Sequence, residues 1–357
     1  MRHILDSISG GYHMMTPMVD VDTIGAGGGS VAYVDAGGIF RVGPKSAGAD
    51  PGPACYGRGG KQPTATDAQL VLGRLAPQVP FAGGISLRED LSRQAISEHL
   101  CRPLGMEIEE AAMGVLQILI HHMVQSIELN SVRRGYDPRD FVLVAFGGAG
   151  PLFACDIARE IGLPSVLIPS YPGITSALGL LATDVSYEYV RTVMQRSDTV
   201  NPQKVETTFA GLEEKALARL RADGLEEKAI NIRKIIDCRY IDQGYELRVP
   251  APLGSVNETW GARTATAFHQ SHEREYGHQF EDQEVQIVNL RVIGVGQIKE
   301  LCLKELPISG VSPKAAFTGR REVCFSENNA LQKLSTPCYN RSMLQASNTI
   351  AGPAIVE

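Results

Sequence analysis

A continuous apolar run, Phe141-Val142-Leu143-Val144-Ala145-Phe146, passes directly into Gly147-Gly148-Ala149-Gly150-Pro151 and a helix-forming stretch to residue 161. Six apolar residues without alternation predict a strand buried in a parallel sheet. The small residues let the backbone turn tightly, and proline suits the first helical turn because its missing N–H would have had no partner there. With residues 165–168 as the next strand, the segment reads as one β-loop-α-β unit, which commits this part of the chain to an α/β fold. Such a turn presents backbone amides and the positive end of a helix to an anion, so a nucleotide is a natural guest. The bland alternative is a tight strand-to-helix connection with no ligand.

Two nucleotide-binding patterns are excluded. A dinucleotide fingerprint needs a third glycine where Phe153 stands, and an acid about 20 positions on, which is absent here. No Gly-x4-Gly-Lys-Ser/Thr occurs anywhere, so there is no P-loop.

A second glycine run covers Ile24-Gly25-Ala26-Gly27-Gly28-Gly29-Ser30. Its glycines can adopt left-handed or extended conformations and expose successive amides, which makes Gly25, Gly27, Gly28, Gly29 and Ser30 nucleotide-binding candidates. A flexible hairpin is the alternative. The stretch 45–60, followed by Pro63-Thr64-Ala65-Thr66-Asp67, is so rich in glycine and proline that it predicts a fixed loop. Asp50 and Asp67 are the candidate catalytic residues there, able to accept protons or hold a metal through water, and Lys45 and Arg58 could meet phosphate. Turn-forming aspartates are the competing reading. His121, His122, His272 and His278 have neither ligand nor triad spacing and read as structural.

Residues 107–135 predict a long amphipathic helix, with Ile108, Ala112, Val115, Leu116, Leu119, Met123 and Ile127 on one face and Gly135 as its stop. Residues 205–220 and 260–276 predict helices, and 232–240, 245–249 and 285–295 predict strands, the last half-exposed. The glycine-rich character fades near 190. The expected domains are therefore 1–190, an α+β domain at 191–300, and a β segment from 301 to 357 whose last residues, 350–357, look like an incoming strand without a partner.

A chain of 357 residues with 43% apolar content can build a core for each domain. Net charge −6 without a like-charge run gives no footprint for nucleic acid or an anionic membrane. The stretch 111–132 is interrupted by eight polar residues, too many for a membrane span. Residues 1–11 lack the apolar core of an export signal, and seven widely spaced cysteines fit neither a disulfide framework nor a zinc site. A cytoplasmic, reducing setting is expected.

Taken together, residues 20–75, the segment Tyr136-Asp137-Pro138-Arg139-Asp140-Phe141 leading into AFGGAGPL, and Pro172-Gly173 leading into SALGLLATD resemble the hydantoinase A/5-oxoprolinase family. The likeness runs over nearly the whole chain and is strongest to about residue 184. It implies part of an ATPase lobe similar to sugar kinases, heat-shock 70 proteins and actin, followed by an α+β C-terminal domain. By it, Gly147, Gly148 and Gly150 match the adenosine-side motif, and Ala149 between them is a further nucleotide-binding candidate. It further implies ATP with Mg2+, phosphorylation of a cyclic amide oxygen (5-oxoproline, a hydantoin or a related lactam), and a B-type partner subunit in an oligomer. The Asp-x-Gly-Gly-Thr turn of such folds is absent from this sequence, so the chain is expected to lack the family's N-terminal section. Two other readings stand beside the hydrolase: the activating subunit of an acetone carboxylase-like complex, and a non-catalytic remnant that binds a partner.

Overall fold

The structure, a computed structural model, describes residues 21–77, 84–298, 312–327 and 330–357, single positions at 305, 308 and 310, and the backbone of short strands between 3 and 19. The expectations for residues 1–11 and for Cys302 lie outside the described residues. The chain packs as two compact units, Met1–Ser176 with Lys304–Glu357, and Ala177–Leu303. This boundary lies ahead of the change in sequence pattern at 190.

In the first unit, an antiparallel hairpin of β1 (Ser30–Val34) and β2 (Phe40–Ser46) leads to α1 (Ala65–Val71), α2 (Glu89–Ile96) and the long α3 (Ile108–Ser131). Helix α3 begins on a reciprocal capping box between Glu107 and Glu110, and the short turn after it ends at Gly135, in the left-handed conformation with φ 79°. Its buried face, including Ala112, Val115, Leu116 and Leu119, joins Ala68, Leu72, Ile96 and Phe153 in one core. Gly114 leaves space for the ring of Phe40, whose edge would lie 2.9 Å from any added Cβ, so the hairpin seats closely on α3.

Strand β3 (Leu143–Val144) pairs in parallel with β4 (Val166–Leu167), and α4 (Gly150–Ile161) connects them. The β-loop-α-β unit expected from sequence is present, but the buried six-residue strand is not. The strand is two residues long, and Phe141, Val142, Val144 and Phe146 are each about half exposed. The physical reason is that β3 has one hydrogen-bonded neighbour among the described residues, so its apolar side chains lack the cover that a central parallel strand receives. The terminal β9 (Phe317–Glu327), β10 (Ala330–Tyr339) and β11 (Ile355–Val356) form a three-stranded sheet. The incoming strand read at 350–357 does have a partner, since β11 runs parallel to Cys338–Tyr339.

The second unit is an antiparallel sheet in the order β7-β6-β8-β5, with β5 (Val185–Arg196), β6 (Ile230–Tyr240), β7 (Leu247–Pro250) and β8 (Val285–Gly296). Helices α5 (Pro202–Ala222) and α6 (Trp260–Tyr276) bury Phe209, Leu212, Trp260 and Phe268 against it. Strand β8 is central and more buried than the half-exposed strand expected, because it has neighbours on both sides and a bulge at Ile287/Asn289 turns Val288 inward as well. Arg291 grips buried Asp237 through two nitrogens, at 2.6 and 3.3 Å, and also meets Glu188, closing an ion network on this sheet. All cysteines in the described residues are free.

Candidate functional site

Helix α1 is the pivot of the first unit, with each of its seven residues buried. Its start is fixed by a capping box in which Thr64 accepts from the Asp67 N–H and Asp67 accepts from the Thr64 N–H. The Asp67 carboxylate, fully buried, also accepts from Ala54 N, Cys55 N, Thr64 Oγ1 and Ser92 Oγ at 2.7 to 3.2 Å. It thereby ties the 54–56 turn, α1 and α2 together. Burial, and then the charge of Asp67, push the Cys55 thiol far up, so this sulfur stays protonated and unreactive. Asp50, the other candidate catalytic carboxylate, lies exposed in the neighbouring turn, and Lys45 at the end of β2 and Arg58 after the 54–56 turn are exposed too.

Next to Asp67 in the same first turn, Thr66 donates from both N and Oγ1 to the carbonyl of Gly28, each at 2.9 Å. This anchors the first glycine run onto α1. A Cβ built on Gly28 would lie 2.8 Å from Thr66 Oγ1 and 3.8 Å from the Cβ of Ala149, so the two glycine turns of the sequence meet here. Gly28, Gly29, Gly148 and Ala149 share one cavity of about 200 Å³, walled by Tyr56 and Phe153. That volume is below the roughly 300–1,000 Å³ of pockets for drug-sized ligands and suits one ring-sized group.

The glycines are small for different reasons. Gly25 and Gly29 are packing glycines, because added Cβ atoms would press on Pro44 at 2.7 Å and on Ser46 Oγ at 2.8 Å. At Gly27, Gly147 and Gly148 a Cβ would meet nothing within 4 Å, but of the three only Gly148 lines the cavity. Gly147 has φ 83° and donates its N–H to the Pro172 carbonyl at 2.7 Å, so its amide is committed to the fold. Ser30 is likewise committed, its Oγ accepting from Gly27 N at 2.9 Å and reaching the Gly25 carbonyl at 3.3 Å. Gly150 opens α4, with Ala149 as its N-cap, so the helix N-terminus abuts the cavity.

Gly25 lines a different and wider groove of about 910 Å³ between the hairpin and α3, beside Asp22, Tyr33, Arg41 and His122. The sequence-predicted residues therefore separate: Gly28, Gly29, Gly148 and Ala149 converge, Gly27 and Ser30 close the loop behind them, and Gly25 faces elsewhere. Of the polar side chains that line the site, Tyr56, Thr66 and Gln69 were not among the sequence candidates. Gln69 carried a faint signal as the polar residue between Ala68 and Leu70-Val71-Leu72, one turn after Thr66. Among the described residues, no three His, Cys, Asp or Glu side chains gather to hold a metal ion. Nor is any helix there long and apolar enough to cross a membrane.

Glycine turns that converge on a small cavity, carried by a mixed helix-and-sheet unit, give the chain the character of an α/β protein. A family model described as hydantoinase/oxoprolinase matches residues 1–189, and one described as hydantoinase/oxoprolinase C-terminal domain matches residues 193–357. The chain belongs to the hydantoinase/oxoprolinase family. It is 34% identical to the caprolactamase subunit alpha of Pseudomonas jessenii over 97% of this chain and 50% of that protein. It is also 34% identical to the acetophenone carboxylase gamma subunit of Aromatoleum aromaticum, over 95% of this chain and 47% of that one. Among solved structures, the ATP-dependent caprolactamase of Pseudomonas jessenii matches with a TM-score of 0.75 at 34% identity, covering 99% of this chain and 52% of that one. A nucleotide-free acetone carboxylase matches with a TM-score of 0.87 at 24% identity, covering 100% and 52%, and shows the shared fold. The chain spans about half the length of these relatives.

Proposed function

We propose that this chain is the glycine-turn part of an ATP-dependent enzyme that hydrolyses a cyclic amide, working with a further segment or subunit. The observation that carries the reading is the meeting of the two glycine turns at Gly28 and Ala149 over one cavity. The open backbone at Gly148, beside the cavity, fits the close approach of a nucleotide, and the start of α4 adds partial positive charge. Magnesium bound with a nucleotide commonly uses one or two carboxylates plus the phosphates, and exposed Asp50 is the candidate of this chain for such a contact. ATP would supply the phosphoryl group that makes the amide oxygen a leaving group, while the residues named here position the reactants and exclude water. Asp67, held by its donors, is on this reading a positioning residue for the 54–56 turn and α1.

Equal identity to a caprolactamase subunit and to a carboxylase subunit supports a second reading, in which the same site activates the substrate of a carboxylase. Bicarbonate-dependent product formation by the assembled complex separates the two. The primary test is thermal unfolding with and without ATP and Mg2+, for this chain and for the chain together with the rest of the relatives' length. A ligand selective for the folded state at 100 times its Kd stabilises by about 2.7 kcal/mol, a shift of several degrees. Gly148→Val, which has room to fold, should abolish that shift, and an unchanged melting temperature in every wild-type sample would refute nucleotide use.

A further inference from the structure

In the second unit, the turn at 241–246 between β6 and β7 and the segment that follows α6 bring their aromatic rings into one connected patch. Tyr245 and Tyr276 meet with ring centroids 5.7 Å apart, and Tyr276 lies 4.7 Å from His272. The chain of contacts continues from His272 to His278 at 5.2 Å, and from His278 to Phe280 at 5.0 Å. Tyr245, Tyr276 and Phe280 are 48%, 43% and 42% exposed. Apolar residues scattered singly over a surface are ordinary, whereas rings that touch one another in the open mark an interaction surface.

The rings are fixed from beneath. Buried Tyr240 meets Phe280 edge-on at 5.4 Å and accepts its N–H at 2.9 Å, and buried His272 donates from Nδ1 to the His278 carbonyl at 2.8 Å. The Tyr245 hydroxyl accepts from Gln243 Nε2 at 3.0 Å. Rings already held in place lose little freedom on binding. The rim is negative: Asp242, Glu246, Glu275, Glu281 and Asp282 stand exposed in the same segments, and among the described residues none of them has an ion-pair partner. The arginines of these segments are engaged elsewhere, Arg239 with Gln286 at 2.9 Å and Arg274 with the Gln270 carbonyl and Ser271 hydroxyl at 3.3 Å. Among the described residues, no cation of the chain lies over Tyr245, Tyr276 or Phe280.

We propose that this patch is a docking surface for a partner protein that presents an arginine, its guanidinium lying on the Tyr245 and Tyr276 rings and donating to the carboxylates of the rim. Aromatic faces attract cations, and the planar guanidinium stacks on a ring while its remaining N–H groups reach carboxylate oxygens, a combination that a lysine ammonium matches less well. The unpaired negative rim repels an acidic segment and complements a basic one. No residue of the glycine-turn cavity takes part, so the assignment stands apart from the reading of the chain as an ATP-dependent enzyme.

The test is fluorine NMR of the full chain labelled with fluorotyrosine, titrated with a capped Gly-Arg-Gly-Arg-Gly peptide and with its lysine and citrulline counterparts. The Tyr245 and Tyr276 resonances, identified by their loss in Tyr245→Phe and Tyr276→Phe, should move with the arginine peptide, less with lysine, and not with citrulline, which keeps the shape of arginine without its charge. Leucine in place of either ring should weaken arginine binding about fivefold, the worth of one exposed cation–π contact, while phenylalanine, which keeps the aromatic face, should preserve it. Glu246→Gln combined with Glu281→Gln should weaken binding and flatten its salt dependence. An unchanged melting temperature in the leucine variants ties the loss to the contact, and where leucine disturbs the fold the glutamine pair carries the test. The proposal is overturned if neither resonance moves with the arginine peptide, if citrulline or lysine binds as tightly as arginine, if leucine serves as well as phenylalanine at both positions, or if the glutamine pair leaves binding unaltered.

Discussion

Asp67 shows why a carboxylate in a motif needs its surroundings before it is given a role. Its oxygens collect the N–H groups of Ala54, Cys55 and Thr64 and the hydroxyls of Thr64 and Ser92. Asp67→Asn replaces an acceptor with a donor facing donors and leaves at least one buried N–H unpaired. The expected loss is about 3 kcal/mol, read from urea unfolding, and a variant as stable as wild type would show that the carboxylate is not the anchor. At the opposite end of the chain's chemistry, His269 Nδ1 lies in hydrogen-bond contact, at 2.9 Å, with the Tyr240 hydroxyl, which itself accepts from Phe280 N. Burial holds its pKa below the ordinary histidine value of about 6.5. Proton uptake then favours the unfolded chain, so this contribution is complete above about pH 6.5 and declines as the pH falls below it. His269→Gln should flatten the melting temperature between roughly pH 5 and 6.5, and an unchanged slope would assign the pH response to another group. Residue types alone had pointed to Asp50 and Asp67 with equal force. Only burial and partners distinguish an exposed turn residue from a buried anchor, and neither property is written in the sequence.

At the scale of elements, periodicity was a good guide wherever a face is covered within the chain. The 3.6-residue spacing from Ile108 to Ile127 gave α3 its buried face, and α5 and α6 extend only slightly beyond, or coincide with, the predicted 205–220 and 260–276. Apolarity misled at 141–146, where a run suited to burial is half exposed, because hydrophobicity reports what a segment prefers and not what lies over it. The convergence of the glycine turns was half legible: the turns were visible, but that Thr66 would seat Gly28 next to Ala149 is a long-range contact across the fold. How α1 is held can be tested at its C-terminal end. Gly73 has φ 74°, and a Cβ there would fall 2.2 Å from the Glu322 carbonyl, beside the Cys324 N–H bond to Leu72 O. Gly73→Ala should cost about 3 kcal/mol, from left-handed backbone strain and the forced separation of β9 from α1, and it should loosen the cavity as well. Hydrogen exchange at 65–72 checks this, with unaltered protection counting against the coupling.

On the scale of the molecule, the second unit has its own core of Trp260, Phe268, Tyr240, Phe209 and Leu290 under a complete four-stranded sheet. A unit with a contiguous core is expected to fold alone. Residues 177–303 expressed by themselves should therefore unfold in a single cooperative transition, and a molten, dye-binding product would show that the unit depends on the rest of the chain.

The tie between the Gly147 N–H and the Pro172 carbonyl, with the Ser30 hydroxyl latching its own turn, carries a consequence for recognition. Both turns acquire their shape from internal bonds, before any guest arrives. On the proposed function, an incoming molecule would meet preformed turns, so less ordering entropy would oppose its capture. Selection by the shape of the guest would then follow from the same internal bonds.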